Sequence, residues 1–281
     1  MPEQHPFTNN KWLNNIQPTP PGIWFNNNQS FAFMPNKNVK NLFLGTFPTF
    51  EVVHFIRHQG NKEFYYGSTR NNFWPILSIQ TGIEINSEID CMNLLIRANF
   101  GISDILFKIE RIEQKAADNA LTPIIFNNFE NLLENFPMLE NIFVTSGGKT
   151  PITNGSPKST SKWLRDSLIA DGFNVTGFNV KGYKKHITIS KPNQLAKKLN
   201  VISLLSPSDA ANKAAQATIN RHTLMPILEA FPQELMNTRP VFRANLLQNG
   251  YMLSGANFPI VAPLQKIIND NIRTLEGIYG V

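Results

Sequence analysis

Short apolar runs that end in small or turn-forming residues recur along this chain and predict strands. One covers Asn41 to Gly45, a second covers Asn141 to Thr145, and a third covers Leu199 to Leu205. Ser146-Gly147-Gly148 follows the second run, and Ser206-Pro207-Ser208 follows the third. A continuous apolar run between turn residues is typical of a strand that is buried on both faces, as in a parallel sheet. The pattern therefore predicts an α/β fold.

Apolar residues at helical spacing lie between these runs. They predict helices over Asp90 to Ala98 and over Thr160 to Ala170, and a further helical region over Ala120 to Phe136. The last part of the chain, residues 217–281, is also predicted to be mainly helical. Strands that alternate with helices are typical of a parallel sheet with crossover connections.

The first forty residues differ from the rest in composition. They are rich in asparagine and proline, yet they hold too many aromatic residues for a free tail. We interpret residues 1–40 as an N-terminal extension packed on a domain of residues 41–281. Short strands are predicted in the extension near Ile23 to Phe25 and Ser30 to Met34.

The first apolar run leads into a turn and then into a polar and aromatic segment. The turn reads Gly45-Thr46-Phe47-Pro48-Thr49, and the segment runs from Tyr65-Tyr66 to Phe73-Trp74. Gly45 lets backbone approach a ligand closely, and Pro48 fixes the turn. Open α/β folds bind ligands at the carboxyl ends of their strands. We therefore expect flat rings and amides to face a ligand at that edge.

These two segments resemble the uracil-DNA glycosylase superfamily, most closely its mismatch-specific and hypoxanthine-DNA glycosylase branch. Its first motif reads Gly-Ser/Thr-x-Pro-Gly/Ser, which residues 45–49 match. Its next segment reads Tyr-Tyr/Phe-x-His-Pro-x-Asn-x-Phe-Trp, which residues 65–74 match except that Ser68-Thr69 replaces His-Pro. The resemblance covers residues 40–216. It implies a three-layer α/β/α sandwich with a central, mostly parallel four-stranded sheet.

Two later segments are similar to motifs of the same family. Related enzymes often carry Asn-Gly-Lys after the second strand, where the Asn reads the base, and Ser146 stands at or next to that place here. Residues 204–212 resemble a Leu-Pro-Ser-x-Ser-Pro-Ala-Asn motif. Hydroxyls and backbone N–H groups at a helix start favour an anion, which predicts substrate binding by Ser206, Pro207, Ser208 and Asn212. An ordinary Ser-Pro helix cap is the alternative interpretation.

A glycosylase flips the base into a pocket and directs a water at C1′ of its sugar. The resemblance assigns base stacking to Tyr66, with Phe47 as a second flat partner, and substrate binding to Gly45 and Thr46. It assigns the catalytic role to Asn71, which would orient the water by accepting its hydrogen bond. Core packing of the aromatic residues and a loop-organising hydrogen bond of Asn71 are the alternatives.

Asn71 is preferred because Phe47 stands where many members of the family carry Asp or Asn. Glu51, His54 and Asp104 are the other candidates for the water. Asp104 follows Gly101 in a segment similar to one that lines the base pocket in the resembled branch, although it is one residue shorter here. A capping or turn role for Asp104 is an equal alternative.

Composition narrows the classes of protein to consider. Cys91 is the only cysteine, which excludes an intrachain disulfide and a site in which several cysteines hold zinc or an iron–sulfur cluster. No apolar run reaches the ~18 residues of a membrane span, and no signal-peptide pattern opens the sequence. We therefore expect a cytoplasmic protein without membrane contact. The net charge of +6 is compatible with a nucleic-acid partner.

Together these features predict a monofunctional DNA glycosylase of base excision repair, because no lysine nucleophile is evident. DNA with a damaged or modified base is the expected partner, and a monomer is expected. No cofactor and no metal are predicted, since paired-carboxylate and His-Glu-x-x-His motifs do not occur. The departures at Phe47, Ser68-Thr69 and Ser146 motivate the alternative of a binding protein on the same fold without turnover. An enzyme for another N-glycoside is the third hypothesis.

Overall fold

The computed structural model describes residues 2–8, 22–54, 62–68, 71, 73–74, 77–78, 83–113, 120–145, 160–178, 184–192 and 195–203. The strands are β1 (Pro2–Gln4), β2 (Ile23–Asn27), β3 (Ser30–Met34), β4 (Asn41–Gly45), β5 (Phe100–Asp104), β6 (Leu106–Arg111), β7 (Leu121–Phe126), β8 (Asn141–Val144), β9 (Asn174–Thr176), β10 (Lys184–Ser190) and β11 (Lys197–Ser203). The helices are α1 (Phe50–Val53), α2 (Glu88–Ala98), α3 (Phe129–Asn135) and α4 (Thr160–Ala170), and a 3-10 turn covers Pro6–Thr8.

The larger of the two described sheets has eight strands in the order β2-β3-β5-β4-β8-β11-β10-β9. The inner strands β5, β4, β8 and β11 pair in parallel. The outer pairings are antiparallel: β2 with β3, β3 with β5, β11 with β10, and β10 with β9. The strand Asn41–Gly45 therefore lies between two parallel neighbours near the middle of the sheet.

The predicted three-layer α/β/α sandwich with a four-stranded, mostly parallel sheet is wrong. The sheet is mixed and has eight strands, and a separate antiparallel sheet joins β1, β6 and β7. Every open strand edge leaves backbone N–H and C=O groups that a further strand can pair. Here the β2-β3 hairpin takes one edge of the parallel set, and β10 takes the other.

The alternation of side chains along the inner strands divides the core into two clusters. Phe43 packs on one side with Phe100, Phe143 and residues of α2. Leu42 and Leu44 point to the other side, where α3 and α4 bring Leu132, Trp163 and Leu168. Successive strand residues face opposite ways, so both faces of β4 are buried and its carboxyl end is the part left for chemistry.

Local sequence explains where two of the helices begin. Ser87 caps α2, since its hydroxyl accepts a bond from the Asp90 N–H while the Asp90 carboxylate accepts one from the Ser87 N–H. Asn128 caps α3 by accepting from the Asn131 N–H, and the Asp171 carboxylate accepts from the N–H groups of Phe129 and Glu130. Capping groups of this kind satisfy the first donors of a helix.

The region from Ala120 to Phe136 differs from its sequence prediction. Only its second half is helical, as α3, while Leu121–Phe126 forms the strand β7. This stretch pairs antiparallel with β6, and Pro123 lies opposite Ile109. Among the described strands β7 pairs with β6 alone, so the N–H that proline lacks is not needed for a further strand pairing.

Candidate functional site

The carboxyl ends of the parallel inner strands meet at one edge of the large sheet. Gly45, the last residue of β4, is paired with Asp104, the last residue of β5. On the other side Thr145 follows β8, and its N–H donates to the Leu44 carbonyl at 3.0 Å. Such an edge is where open α/β sheets bind ligands. The candidate site is therefore built on Gly45, with Asp104 and Thr145 on either side.

Gly45 is a glycine because two side chains close in on it. A Cβ atom at this position would overlap Oδ1 of Asp104 and the hydroxyl of Tyr66. A carboxylate oxygen and a phenolic hydroxyl thus converge beside the end of β4. No residue with a side chain fits there unless one of these groups moves.

Tyr66 reaches the sheet edge from the loop that follows the first motif. Its hydroxyl lies 2.7 Å from Oγ1 of Thr145, and its ring stacks on Phe73 with centroids 4.3 Å apart. The backbone is left-handed, at φ 55°, which costs about 1 kcal/mol for a residue with a side chain. The ring is half-buried. Phe73 covers one of its faces, so a stacking ligand would have to take the other.

A buried His–Asp pair lies behind this edge. Nε2 of His5 is 2.9 Å from Oδ2 of Asp104, and the two side chains are 0% and 5% exposed. The His5 ring is enclosed by the rings of Phe7, Phe31, Phe47 and Tyr65. Burial lowers the pKa of His5, against the opposing effect of its hydrogen bond with Asp104. His5 is therefore neutral at pH 7.

A second hydrogen bond fixes the tautomer of His5. The Phe7 N–H donates to Nδ1 of His5 at 3.3 Å. A neutral imidazole has one donor and one acceptor nitrogen, so Nε2 carries the hydrogen and donates it to Asp104. This arrangement uses Oδ2 of the carboxylate and directs Oδ1 to Gly45.

Tyr65 adds a buried hydroxyl that none of the described residues bonds. Its side chain is 1% exposed, and the hydroxyl lacks a partner in the described part of the chain. Burial, followed by the charge of Asp104, raises the pKa of Tyr65 well above its ordinary value. The phenol therefore remains protonated and is a donor at neutral pH.

Asn127 holds the end of β5 in place. Its Oδ1 accepts from the Phe31 N–H at 3.2 Å, and its Nδ2 donates to the Phe31 carbonyl at 3.1 Å. The same Nδ2 lies 2.8 Å from Oγ of Ser103 and 2.9 Å from the Asp104 carbonyl. Asn127 is fully buried, so these bonds connect β3 to the residue that carries the candidate carboxylate.

The first-motif residues Thr46 and Phe47 lie directly after Gly45. Oγ1 of Thr46 lies 2.5 Å from Oγ1 of Thr160, the first residue of α4. The Phe47 ring is half-buried and lies nearly perpendicular to the His5 ring, with centroids 5.3 Å apart. The Arg111 guanidinium lies 5.7 Å from the Phe47 centroid and donates to the Pro48 carbonyl at 2.8 Å. One face of Phe47 is thus occupied by protein.

Asn71 makes a local hydrogen bond in the same loop. Its Oδ1 accepts from the Phe73 N–H at 2.9 Å, and its own N–H donates to the Ser68 carbonyl. This is the turn-forming contact that the alternative interpretation expects. A carbonyl oxygen has a second lone pair, so the contact leaves room for a water as well.

The other predicted substrate-binding residues lie outside the described residues. These are Ser146, Ser206, Pro207, Ser208 and Asn212. Of the further candidates for the water, Glu51 and His54 lie in or just after α1, and Asp104 alone of the three lies at Gly45. His54 is 3.8 Å from Glu3.

The structure adds His5, Tyr65 and Thr145 to the residues that sequence reasoning selected. His5 stands 99 positions from Asp104, and no motif marks it. The only signal was indirect, since the notable aromatic content of the first forty residues indicated that they pack on the domain. Thr145 is the last residue of the second predicted strand. If that strand lies parallel to the strand of Gly45, the two residues lie side by side at the same edge of the sheet.

Three basic residues near the end of the described chain make contacts within the fold. Lys191 is ion-paired with Glu130, and Lys197 donates to the Pro137 carbonyl at 2.8 Å. Both lie at the amino end of β11, away from Gly45. Lys185 is buried and donates to the Phe178 carbonyl at 3.0 Å, and burial lowers its pKa. These contacts are structural.

The described residues also lack two further features. No group of three or more His, Cys, Asp or Glu side chains is placed there to hold a metal ion. None of the described helices is long and apolar enough to cross a membrane.

Comparison with known proteins finds a distant likeness in structure. No protein-family model matches this chain. No curated protein matches it in sequence. Among solved structures, the chain is similar to a proposed uracil DNA glycosylase from Methanosarcina acetivorans, determined by NMR in solution. The identity is 17%, the TM-score is 0.39, and the match covers 74% of this chain and 92% of that one. These values are too low to assign the chain to a family.

Proposed function

We propose that this protein is a monofunctional DNA glycosylase that removes a deaminated or otherwise modified base. The observation that carries the proposal is the convergence at Gly45. The glycine of the first motif lies at the carboxyl end of a parallel strand, and Asp104, Tyr66 and Thr145 meet around it. A flipped base can stack on the flat ring, and the carboxylate and hydroxyl groups can bind the base edge or a water beside the sugar.

Tyr66 is the proposed stacking partner of the flipped base. Phe73 supports one face of its ring, and the bond to Thr145 fixes its hydroxyl. A ring held in this way loses little conformational freedom when a base stacks on it, and such stacking contributes about 1–3 kcal/mol. Gly45, Thr46 and Phe47 form the turn beside it and are proposed to line the base.

Asn71 is the proposed water-orienting residue. The Phe73 N–H donates to its Oδ1 and so fixes the orientation of the amide. Asn71 belongs to the same loop as Tyr66. Uracil and hypoxanthine leave more readily than intact cytosine or adenine, so positioning of the water supplies much of the rate. Ser146 is proposed to contact the base, and Ser206, Pro207, Ser208 and Asn212 the DNA phosphates.

An abasic-site assay tests the proposal. Labelled oligonucleotides that contain uracil, hypoxanthine, xanthine or a G·T mismatch are incubated with the protein and then treated with alkali. The expected result is a strand break at one lesion after alkali treatment. Without alkali, the strand should remain intact. The proposal is wrong if no lesion yields an abasic site at enzyme excess over a long incubation.

Two variants at one position separate catalysis from loop structure. Asn71→Ala removes the acceptor for the Phe73 N–H, and Asn71→Asp keeps an acceptor there. If Asn71 orients the water, Asn71→Ala lowers the single-turnover rate while the Kd for the lesion duplex stays within about threefold. If its bond only organises the loop, the Kd rises in Asn71→Ala, and Asn71→Asp restores both quantities.

A binding protein on the same fold is the second candidate. The observation that favours it is Phe47, which packs against His5 and Arg111. Many members of the uracil-DNA glycosylase superfamily, which the sequence resembles, carry a water-binding Asp or Asn at this position. Tight binding to one lesion duplex, with no abasic product, is the result expected of this candidate.

A further inference from the structure

We propose that Asp104 is the catalytic base of the site and that His5 is its positioning residue. This inference rests on the proposed glycosylase function. The amide of Asn71 can orient a water but cannot take its proton. A carboxylate at the same edge of the sheet would supply the proton acceptor that the amide lacks. In the described part of the chain, Asp104 is the carboxylate that converges on Gly45.

The two oxygens of Asp104 have different surroundings. Oδ2 accepts from Nε2 of His5 at 2.9 Å, deep in the core. Oδ1 lies beside Gly45, where the Tyr66 hydroxyl also arrives, and the bond to His5 does not use it. One oxygen is thus anchored and the other is presented at the carboxyl end of β4. This division is what a general base needs, because a fixed carboxylate must keep one oxygen for the reacting water.

His5 anchors the carboxylate without competing for the proton. Its Nδ1 accepts from the Phe7 N–H, so its only ring N–H is the one given to Asp104. The ring is held by four aromatic neighbours and has a 0% exposed side chain. His5 follows β1, whose pairing with β6 places this segment against the end of β5. The N-terminal segment therefore completes the site.

The Tyr65 hydroxyl is an independent sign of a water in this region. It is buried, it is a donor, and no described residue bonds it. Buried polar groups of this kind are commonly satisfied by an ordered water that needs two or more polar partners. Asp104 and Tyr65 are electrostatic neighbours, so they can supply an acceptor and a donor to a water.

The chemical step is a hydrolysis with one proton transfer. The water oxygen forms a bond to C1′, and the bond from C1′ to the base nitrogen breaks with its electron pair on the base. Oδ1 of Asp104 takes one proton from the water, which leaves a hydroxyl on C1′. Transfer of that proton to solvent or to the released base restores the carboxylate.

Single-turnover kinetics on the lesion that the abasic-site assay identifies test the inference. Asp104→Asn should lower the rate by about 10²–10⁴-fold. The matched control is Asp171→Asn, which makes the same change in the carboxylate that caps α3. It should keep the wild-type rate. Asp104 is not the base if Asp104→Asn stays within about threefold of wild type while it binds the lesion duplex normally.

The pH profile distinguishes a base from a structural carboxylate. The titratable groups of the described chain that face Asp104 are His5, Tyr65 and Tyr66. The wild-type rate should fall by about tenfold per pH unit on the acid side, and the acid limb should be absent in Asp104→Asn. An unchanged acid limb in Asp104→Asn contradicts the inference.

Two substitutions test the positioning role of His5. His5→Gln retains an N–H donor for Asp104 and should keep most of the rate. His5→Leu removes the donor and should lower the rate by up to about 10²-fold with little change in the Kd for DNA. Equal rates in the two variants, when both are folded by circular dichroism, contradict the role.

A binding measurement separates failure of this inference from failure of the proposed function. The probe is a duplex in which a pyrrolidine, positively charged at neutral pH, replaces one deoxyribose, and its control carries neutral tetrahydrofuran there. A carboxylate near C1′ should favour the cation by at least about tenfold, and Asp104→Asn should remove the preference. If wild type cleaves no lesion but shows this preference, Asp104 lies near C1′ of the bound nucleotide, and both the glycosylase proposal and the catalytic role of Asp104 fail. If it cleaves a lesion and shows no preference, the assignment of Asp104 is wrong, and the proposed glycosylase function is retained.

Discussion

Gly45 and Asp104 are directly paired at the ends of two neighbouring parallel strands, and the carboxylate of Asp104 occupies the space where a side chain at position 45 would begin. The glycine of the first motif is therefore required by the acidic residue beside it. This relationship links a residue that the sequence selected as a ligand site to one that it left among the alternatives.

Gly45→Ala should damage both the fold and the site. The added methyl group would overlap Oδ1 of Asp104 and the Tyr66 hydroxyl, and overpacking of this kind costs about 1–3 kcal/mol. Urea denaturation measures the loss of unfolding free energy. Gly101→Ala is the comparison, because its methyl group would overlap the buried Met34 and press on Leu42, which are apolar core residues and not groups of the candidate site. Equal activity in Gly45→Ala and wild type would show that these groups take no part in the reaction.

Tyr66 offers a test of stacking that spares its hydrogen bond. Tyr66→Phe removes the bond to Thr145, which should cost about 1 kcal/mol of stability, and it keeps the ring. Tyr66→Leu removes the ring and should weaken binding of the lesion duplex by about 1–3 kcal/mol relative to Tyr66→Phe. Titration with lesion and undamaged duplexes measures this difference. An equal Kd for the lesion duplex in the two variants would argue against stacking on Tyr66.

His5 should make stability depend on pH below neutrality. Burial lowers its pKa in the folded chain from the ordinary 6.5, so between these two values the unfolded chain binds more protons. The contribution of neutral His5 is therefore fully present above about pH 6.5 and is lost as the pH falls through the lower folded value. The slope reaches at most about 1.4 kcal/mol per pH unit.

Urea denaturation from pH 5 to 8 measures this effect, with His5→Gln as the reference. Wild type should lose more unfolding free energy than His5→Gln between about pH 6.5 and 5. Parallel curves for the two proteins over that range would mean that His5 titrates normally in the folded state.

Asn127 should be among the costliest positions to truncate in the described chain. Asn127→Ala removes the acceptor of the Phe31 N–H and a donor to the Asp104 carbonyl, while Ser103 keeps its bond to the Phe31 carbonyl. A buried group left unsatisfied costs about 1–3 kcal/mol. Asn135→Ala, which removes half-buried bonds on α3, should cost less than about 1 kcal/mol. A comparable loss in the two variants would show that solvent or other groups replace the Asn127 bonds.

Local patterns predicted several elements well. The runs at Asn41–Gly45 and Asn141–Val144 are strands, and Thr160–Ala170 is a helix with the predicted bounds. The hairpin strands near Ile23 and Ser30 are also confirmed. Each of these carries its signal in consecutive residues, as a solid apolar run or as apolar residues at helical spacing. The prediction failed at Leu121–Phe126, where pairing with β6 outweighs the local pattern.

The sequence by itself determined several strands and helices, among them Asn41–Gly45 and Thr160–Ala170, and placed a glycine turn at the end of β4. These features depend on neighbours along the chain. It also selected Tyr66 and the residues of the first motif as site candidates, through their resemblance to a known family. Only the tertiary structure decided that eight strands form one mixed sheet, and that His5 binds Asp104 from 99 positions away. The physical reason is that strand partners and buried polar pairs are chosen by contacts between distant segments, which leave no periodic trace in the sequence.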